Sequence, residues 1–138
     1  MPHRVCVYTG SIPGGVQCGT SVTLEGKVNC GTDRFDIELK SSQGESDIPL
    51  HSSFRFNEGC VVRNHRKDGG AWGCEERGGA IPLSPGQDFI IQFKIHSNAI
   101  DMSVNGCHFS SFSHRLPMGS ISCVAVFGGA SISSIKFC

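Results

Sequence analysis

Apolar and polar residues alternate with a period of two in several short stretches of the chain. In residues 34–40, three aromatic or aliphatic residues are interleaved with four charged ones. Because successive side chains of a β-strand point to opposite faces, this pattern predicts a half-buried strand. The same alternation occurs at residues 89–95 and 100–104, which predicts two further strands of this kind.

Short polar turns connect these later strands. Ser97 and Asn98 separate residues 89–95 from residues 100–104. The pair Asn105-Gly106 then supplies the two residues with positive φ that a tight hairpin turn requires, and residues 107–109 follow as the next strand. The sequence therefore predicts a three-stranded antiparallel meander.

The whole chain has the composition of an all-β protein. Its 18 glycines and 6 prolines interrupt it at short intervals, and no segment has the apolar spacing of an amphipathic helix. Many short antiparallel strands with one charged and one apolar face favour two packed sheets. With 138 residues and no linker or internal repeat, we expect a single domain over residues 1–138 that folds as a two-sheet antiparallel β-sandwich.

Charge and hydropathy exclude several classes of partner. Twelve Lys and Arg residues balance twelve Asp and Glu residues, so the net charge does not attract nucleic acid or an anionic membrane. The apolar runs are far shorter than the roughly 20 residues that span a bilayer, so we expect no membrane insertion. Residues 1–11 lack the basic and apolar regions of a signal peptide, which predicts a cytoplasmic location.

The eight cysteines are irregularly spaced and form no C-x-x-C pair. A disulfide framework is typical of secreted proteins, so free thiols are the preferred interpretation. Neither Cys60 with His65 nor Cys107 with His108 has the paired spacing of a zinc site. We therefore expect no metal and no cofactor.

Residues 51–77 combine strand patterning with a concentration of hydrogen-bonding side chains. His51, Ser53 and Arg55 fall on one face of a predicted strand, which we expect to be exposed. A turn and a partner strand, residues 60–64, follow, and a glycine-bearing loop then leads to Trp72, the only tryptophan.

A sugar ring requires this mixture of residues. Its C–H face packs on an indole, and its hydroxyl groups need donors and acceptors, which charged side chains provide most strongly. The alternative is that Trp72 belongs to the core and the charges form a solvated sheet face. Residue types alone leave both interpretations open.

The order of these residues resembles the carbohydrate-recognition motif of the galectins. The motif runs as His51-x-Ser53-x-Arg55, Val62-x-Asn64 and Trp72-Gly73-x-Glu75-x-Arg77. Framework segments along the chain are similar too, including residues 8–15, 57–59, 84–87, 104–106 and 135–137. The resemblance implies a jelly-roll sandwich like that of the legume lectins, and the non-catalytic binding of β-galactosides such as lactose or N-acetyllactosamine.

The resemblance also implies a role for each site residue. His51 and Arg55 would bind the axial 4-hydroxyl of galactose, Asn64 and Glu75 would bind its 6-hydroxyl, and Trp72 would lie under the ring. Arg55 and Glu75 would also reach the next sugar.

Arg77 would hold Glu75 in place and contact the second sugar. The chain departs from the family pattern at Ser53, where asparagine is usual, and at Phe54, where proline is usual. The shorter serine side chain would lose a direct hydrogen bond or replace it with a water, at a cost of about 0.5–1.5 kcal/mol. We therefore expect weakened or altered sugar specificity.

Two other functions compete with this one. A glycosidase needs two carboxyl groups that flank one bond, but Glu75 and Glu76 are adjacent and would point to opposite faces of a strand. An interaction module that keeps the sandwich and has lost sugar binding is the second alternative, motivated by Ser53.

Family resemblance further implies multivalent binding to glycoconjugates and export from the cytosol without a signal peptide. Multivalency raises the avidity of weak single sites. The resemblance leaves open whether this chain pairs as a homodimer or is joined to a partner domain in a longer chain.

Overall fold

The computed structural model describes residues 4–138, so the first three residues of the expected domain lie outside the described part. Strands make up most of this part, with a single short 3₁₀-helix, and residues 4–138 contain no helix with the length and apolar character needed to cross a membrane. The elements are β1 (Cys6–Ser11), β2 (Ser21–Val28), β3 (Arg34–Lys40), β4 (Ile48–Arg55), β5 (Cys60–Arg66), β6 (Asp88–Ile95), β7 (Ala99–Val104), β8 (Cys107–Ser113), the 3₁₀-helix (Met118–Ser120), β9 (Cys123–Gly128) and β10 (Ala130–Phe137).

The strands form two five-stranded antiparallel sheets. One has the order β1-β9-β3-β4-β5 and is called the site sheet below; the other has the order β10-β2-β6-β7-β8 and is called the opposite sheet. The predicted all-β two-sheet sandwich is confirmed. The meander is confirmed as β6, β7 and β8, and Asn105 and Gly106 have φ values of 50° and 83° in its hairpin turn.

Aromatic residues from both sheets meet in the core. Phe35 of β3 stacks on Phe54 of β4 with ring centroids 4.6 Å apart, and on Phe89 of the opposite sheet at 5.4 Å. All three rings are buried. Each large apolar side chain removed from water contributes roughly 1.5–3 kcal/mol, so this cluster is a main source of adhesion between the sheets.

The prediction that β3 is buried on one face only is wrong. Asp36 and Glu38 are 1% and 0% exposed, and Lys40 is also buried. The Arg4 side chain covers the charged face of β3, where it bonds Asp36 and Glu38 with its guanidinium 4.0 Å from the centre of the Phe127 ring on β9. Apart from Arg34, the strand is therefore buried on both faces.

All eight cysteines are free, as predicted. Cys123 is buried, Cys60 is partly exposed and the other six are exposed.

Candidate functional site

A groove of about 1040 Å³ lies on the outer face of the site sheet. This volume is just above the roughly 300–1,000 Å³ range of small-molecule sites. Five of the seven predicted site residues line it: His51, Arg55, Asn64, Trp72 and Glu75. Ser53 and Arg77 do not line it. At its other end the groove reaches across β3 to β9, with lining residues that include Arg4, Arg34 and Phe127.

Strand β4 supplies the centre of the site through its period-two alternation. His51, Ser53 and Arg55 point away from the core, and the register of β4 with β5 places Asn64 beside His51. The expectation that this face is exposed is wrong for two of the three residues, since His51 is 4% exposed and Ser53 is 0% exposed. Only Arg55 is partly exposed, because the neighbouring strands and Trp72 cover the rest.

Trp72 lies at the edge of the site rather than in the core. It is 43% exposed, and its ring centroid is 4.7 Å from that of His51. The guanidinium of Arg66 lies 5.6 Å from the indole centroid. An exposed indole beside hydrogen-bonding side chains provides the apolar surface that one face of a sugar ring requires.

The backbone around Trp72 is held against β5 by two isolated β-bridges, Arg63 with Glu76 and Arg66 with Trp72. Gly73 donates to the His65 carbonyl at 3.0 Å, and Arg63 and Glu76 exchange two backbone hydrogen bonds of 2.9 Å. A side chain at Gly73 would collide with the His65 ring, so only glycine lets the segment approach β5 this closely.

Charged residues form a network at the loop end of the groove. Arg77 bonds Glu75 at 2.9 Å and Glu58 at 2.7 Å, and Arg55 lies 3.5 Å from Glu58. The hydrogen bond from Arg77 lowers the pKa of Glu58, and the two carboxylates raise the pKa of Arg77 above its usual range. Fixed in this way, the Glu75 carboxylate can accept a hydroxyl hydrogen in the groove.

Glu75 and Glu76 have different arginine partners. Glu75 pairs with Arg77, whereas Glu76 pairs with Arg115 at 2.9 Å. The two carboxylates are therefore held in separate ion pairs and do not flank a common bond as a glycosidase requires.

The side-chain amide of Asn64 is almost fully engaged by the protein. Its Oδ1 accepts from the His65 backbone N–H at 2.8 Å and from Arg115 at 3.1 Å. Its Nδ2 donates to the Gly73 carbonyl at 2.9 Å. A primary amide has two N–H groups, so one remains for a ligand.

Two buried acids of β3, Asp36 and Glu38, lie beside Ser53 and His51 on the site sheet, and sequence reasoning did not assign them to the site. Asp36 also lines the groove. Glu38 Oε2 lies 2.8 Å from His51 Nδ1 and 3.0 Å from Arg4 Nη1. Burial alone would raise the pKa of Glu38, but the hydrogen bond and charge of His51, together with Arg4, hold it below its ordinary value. Because a carboxylate only accepts hydrogen bonds, Glu38 keeps a proton on His51 Nδ1. The second ring nitrogen of His51, Nε2, is not engaged by this carboxylate.

Ser53 supports Arg55 and does not line the groove. Its hydroxyl oxygen accepts from Arg55 Nε at 3.1 Å, and its strand partner on β3 is Asp36. Asp36 also binds Arg34 at 2.9 Å and Arg4 at 3.1 Å. Burial would raise the pKa of Asp36, but the hydrogen bond from Arg34 and the other nearby donors keep it low.

A family model described as galactoside-binding lectin matches residues 7–137. The chain belongs to the galectin family. Human galectin-7 is 31% identical over 137 residues, which cover 99% of this chain and 96% of galectin-7. Bovine galectin-4 is 32% identical over 94% of this chain, and a 32 kDa beta-galactoside-binding lectin of Caenorhabditis elegans is 32% identical over 86% of it. The chain spans only 40% and 43% of the lengths of these two galectins.

Solved galectin structures share the same fold. Sheep galectin-11 in complex with glycerol superposes with a TM-score of 0.85 and 26% identity, covering 100% of this chain and 99% of its own. The Caenorhabditis elegans galectin LEC-6 gives a TM-score of 0.84 and 29% identity over 95% of this chain and 89% of its own. These relatives are galectins, which are lectins and not enzymes, so the expectation that this galectin-family chain is not an enzyme is supported.

Proposed function

We propose that this chain is a single carbohydrate-recognition domain, residues 1–138, that binds β-galactoside glycans without changing them chemically. The observation that carries the proposal is the half-exposed indole of Trp72, 4.7 Å from the His51 ring and in one groove with Arg55, Asn64 and Glu75. An apolar surface next to fixed donors and acceptors fits a hexose, whose two faces differ in polarity.

Each groove residue has a hydrogen-bonding capacity that suits one part of galactose. His51 and Arg55 bind the axial 4-hydroxyl. The free N–H of Asn64 donates to the 6-hydroxyl oxygen, and Glu75 accepts its hydrogen and reaches the next sugar. Arg77 acts from outside the groove, through its 2.9 Å bond to Glu75.

Ser53 alters this site by changing how Arg55 is held. Its buried hydroxyl bonds Arg55 and does not line the groove, so it makes no direct contact with the sugar. The proposed consequence is a weaker or less discriminating site for the 4-hydroxyl. The same observation favours a second candidate, a galectin-like interaction module that has lost sugar binding.

The natural ligands under this proposal are lactose- or N-acetyllactosamine-like glycoconjugates. We place the protein in the cytoplasm, with secretion that needs no signal peptide. Pairing as a homodimer or joining to a partner domain would provide multivalency.

Calorimetric titration with lactose tests the proposal, and it also applies to Trp72→Ala, a variant that has no tryptophan emission. Cellobiose is the matched control ligand, since it differs from lactose only in the equatorial 4-hydroxyl. We expect lactose to bind and cellobiose to bind more weakly, and Trp72→Ala to lower lactose affinity about tenfold or more. Ser53→Asn is expected to widen the gap between the two sugars.

Failure to bind immobilised lactose, together with no signal on a glycan array, would contradict the proposal and favour the interaction module. Equal affinity for lactose and cellobiose would contradict the assigned roles of His51 and Arg55 at the 4-hydroxyl.

A further inference from the structure

Arg115, in the connection between β8 and β9, contacts the site from outside the motif. Its side chain bonds Asn64, the Cys74 carbonyl and Glu76 at 3.1, 2.8 and 2.9 Å, and lies 3.2 Å from His65 Nδ1. We infer that Arg115 is a positioning residue that sets the orientation of the Asn64 amide and the place of the Trp72 segment. This inference rests on the proposed function.

The first part of the argument concerns the Asn64 amide. Two donors, Arg115 Nη1 and the His65 backbone N–H, face its oxygen, and one acceptor, the Gly73 carbonyl, faces its nitrogen. Rotating the amide by 180° would set its NH₂ group against two donors and its oxygen against an acceptor. Asn64 therefore offers the ligand only a donor, and Arg115 supplies one of the two contacts that enforce this.

The second part concerns the segment that carries Trp72 and Glu75. Arg115 holds this segment at two points, the Cys74 carbonyl and the Glu76 carboxylate. A planar guanidinium can serve several acceptors at once, whereas an ammonium group is a point charge. Phe112 fixes the guanidinium in turn, with the ring centre 4.6 Å from Cζ.

His65 reports on this arrangement. Arginine only donates, so the contact with Arg115 makes Nδ1 the acceptor and places the proton of the neutral ring on Nε2. Burial lowers the pKa of His65, and the positive charge of Arg115 lowers it further. Loss of that charge is therefore visible in the titration of His65.

Arg115→Gln and Arg115→Lys test the inference by lactose affinity, Trp72 emission and NMR titration of His65. We expect Arg115→Gln to lower affinity about tenfold, shift Trp72 emission and raise the pKa of His65. Arg115→Lys keeps the charge and loses the planar fork, so affinity should fall while the pKa of His65 stays low. Lys94→Gln, which removes one exposed positive charge from β6 of the opposite sheet, is the matched control and should change none of these.

A second comparison separates positioning from general loss of structure. If Arg115 acts through Asn64, adding Arg115→Gln to Asn64→Ala should lower affinity by clearly less than the product of the two single effects. The inference would be overturned if the double variant lost as much affinity as the product of the two single effects. It would also be overturned if Arg115→Gln kept the lactose affinity and Trp72 emission of the wild type. If Arg115→Gln does not fold, Glu76→Gln is used instead, because this substitution removes the ion pair that anchors Arg115. Unchanged lactose affinity and Trp72 emission in Glu76→Gln would count equally against the inference.

The two hypotheses fail differently. Absence of lactose binding by the wild type refutes the proposed function, while Trp72 emission and the His65 titration still test the positioning of the segment. Lactose binding that Arg115→Gln leaves unchanged refutes only the inference.

Discussion

Strands β3 and β6 have nearly the same sequence pattern and opposite surroundings. In both, every second residue is aromatic or aliphatic and faces the shared core; the residues between them are charged in β3 and are Ile90, Gln92 and Lys94 in β6. The other face of β6 is exposed at Ile90 and Lys94, whereas the other face of β3 is buried at Asp36 and Glu38. The difference shows that alternation identifies the face that enters the core, but not the environment of the opposite face.

Strand position does not explain this difference, because β3 and β6 are each the central strand of a five-stranded sheet. The side chains over the outer face explain it, since the acids of β3 pair with Arg4, Arg34 and His51. A buried charge persists when it is paired and hydrogen-bonded. The site thus lies beside paired, buried acids of β3, whereas the outer face of β6 is exposed at Ile90 and Lys94.

Truncating the inward residues should show that the two strands contribute equally to the core. Phe35→Ala and Phe89→Ala each remove a buried ring from the same stack, so each should lower the free energy of unfolding by about 3–5 kcal/mol. Urea titration at an unchanged m-value measures this. A large loss from only one variant would break the equivalence.

Outward residues should differ between the strands. Glu38→Ala leaves His51 Nδ1 without its partner and should cost about 1–3 kcal/mol of unfolding free energy, with a fall in lactose affinity. Lys94→Ala on β6 should change stability by less than about 0.5 kcal/mol and leave lactose affinity unchanged. Similar losses of unfolding free energy in Glu38→Ala and Lys94→Ala would contradict the proposed difference between the outer faces of β3 and β6.

Acid should destabilise the protein through the buried acids of β3. The pKa values of Asp36 and Glu38 are lower in the folded chain than their ordinary values of 3.8 and 4.5. The unfolded state then binds more protons, so their contribution is complete above pH 4.5 and is lost as pH falls through the folded values. Urea titrations at a series of pH values should give a shallower decline for Asp36→Asn/Glu38→Gln than for the wild type.

Lys94→Gln serves as the control for this pH series, and its curve should run parallel to that of the wild type. A double variant as steep as the wild type would show that other carboxyl groups cause the acid response.

The smallest effect is expected at Ile90. It is 47% exposed on β6, so Ile90→Thr should change the free energy of unfolding by less than about 0.5 kcal/mol and leave lactose affinity unaltered. Thermal unfolding and lactose titration check this. A cost near that of Glu38→Ala would mean that the outer face of β6 is covered in solution.

Local patterns predicted much of the fold. The alternation in residues 89–104 and the Asn105-Gly106 turn predicted β6, β7 and their hairpin with β8, because antiparallel neighbours joined by tight turns depend on contacts close in sequence. Of the seven residues that the motif in residues 51–77 named, five line the groove. The motif did not predict that Ser53 would be buried against Arg55, or that Arg77 would lie outside the groove.

Contacts that are distant in sequence could not be predicted in this way. Arg4 reaches Glu38 across 34 positions, and Arg115 reaches Asn64 across 51. Neither arginine belongs to a motif. Arg4 acquires its role only when the start of the chain is brought against β3, and Arg115 only when the connection between β8 and β9 packs against β5.

By itself, the sequence determined the fold class, the strands with clear alternation and the group of residues that resembles a galectin site, because side-chain period and turn chemistry act within a few residues. Only the tertiary structure decided that the acids of β3 are buried, that Ser53 supports Arg55 and that Arg115 holds the Trp72 segment. The physical reason is that burial and hydrogen-bond pairing depend on which strands lie side by side, and strand order is set by packing of the whole sandwich.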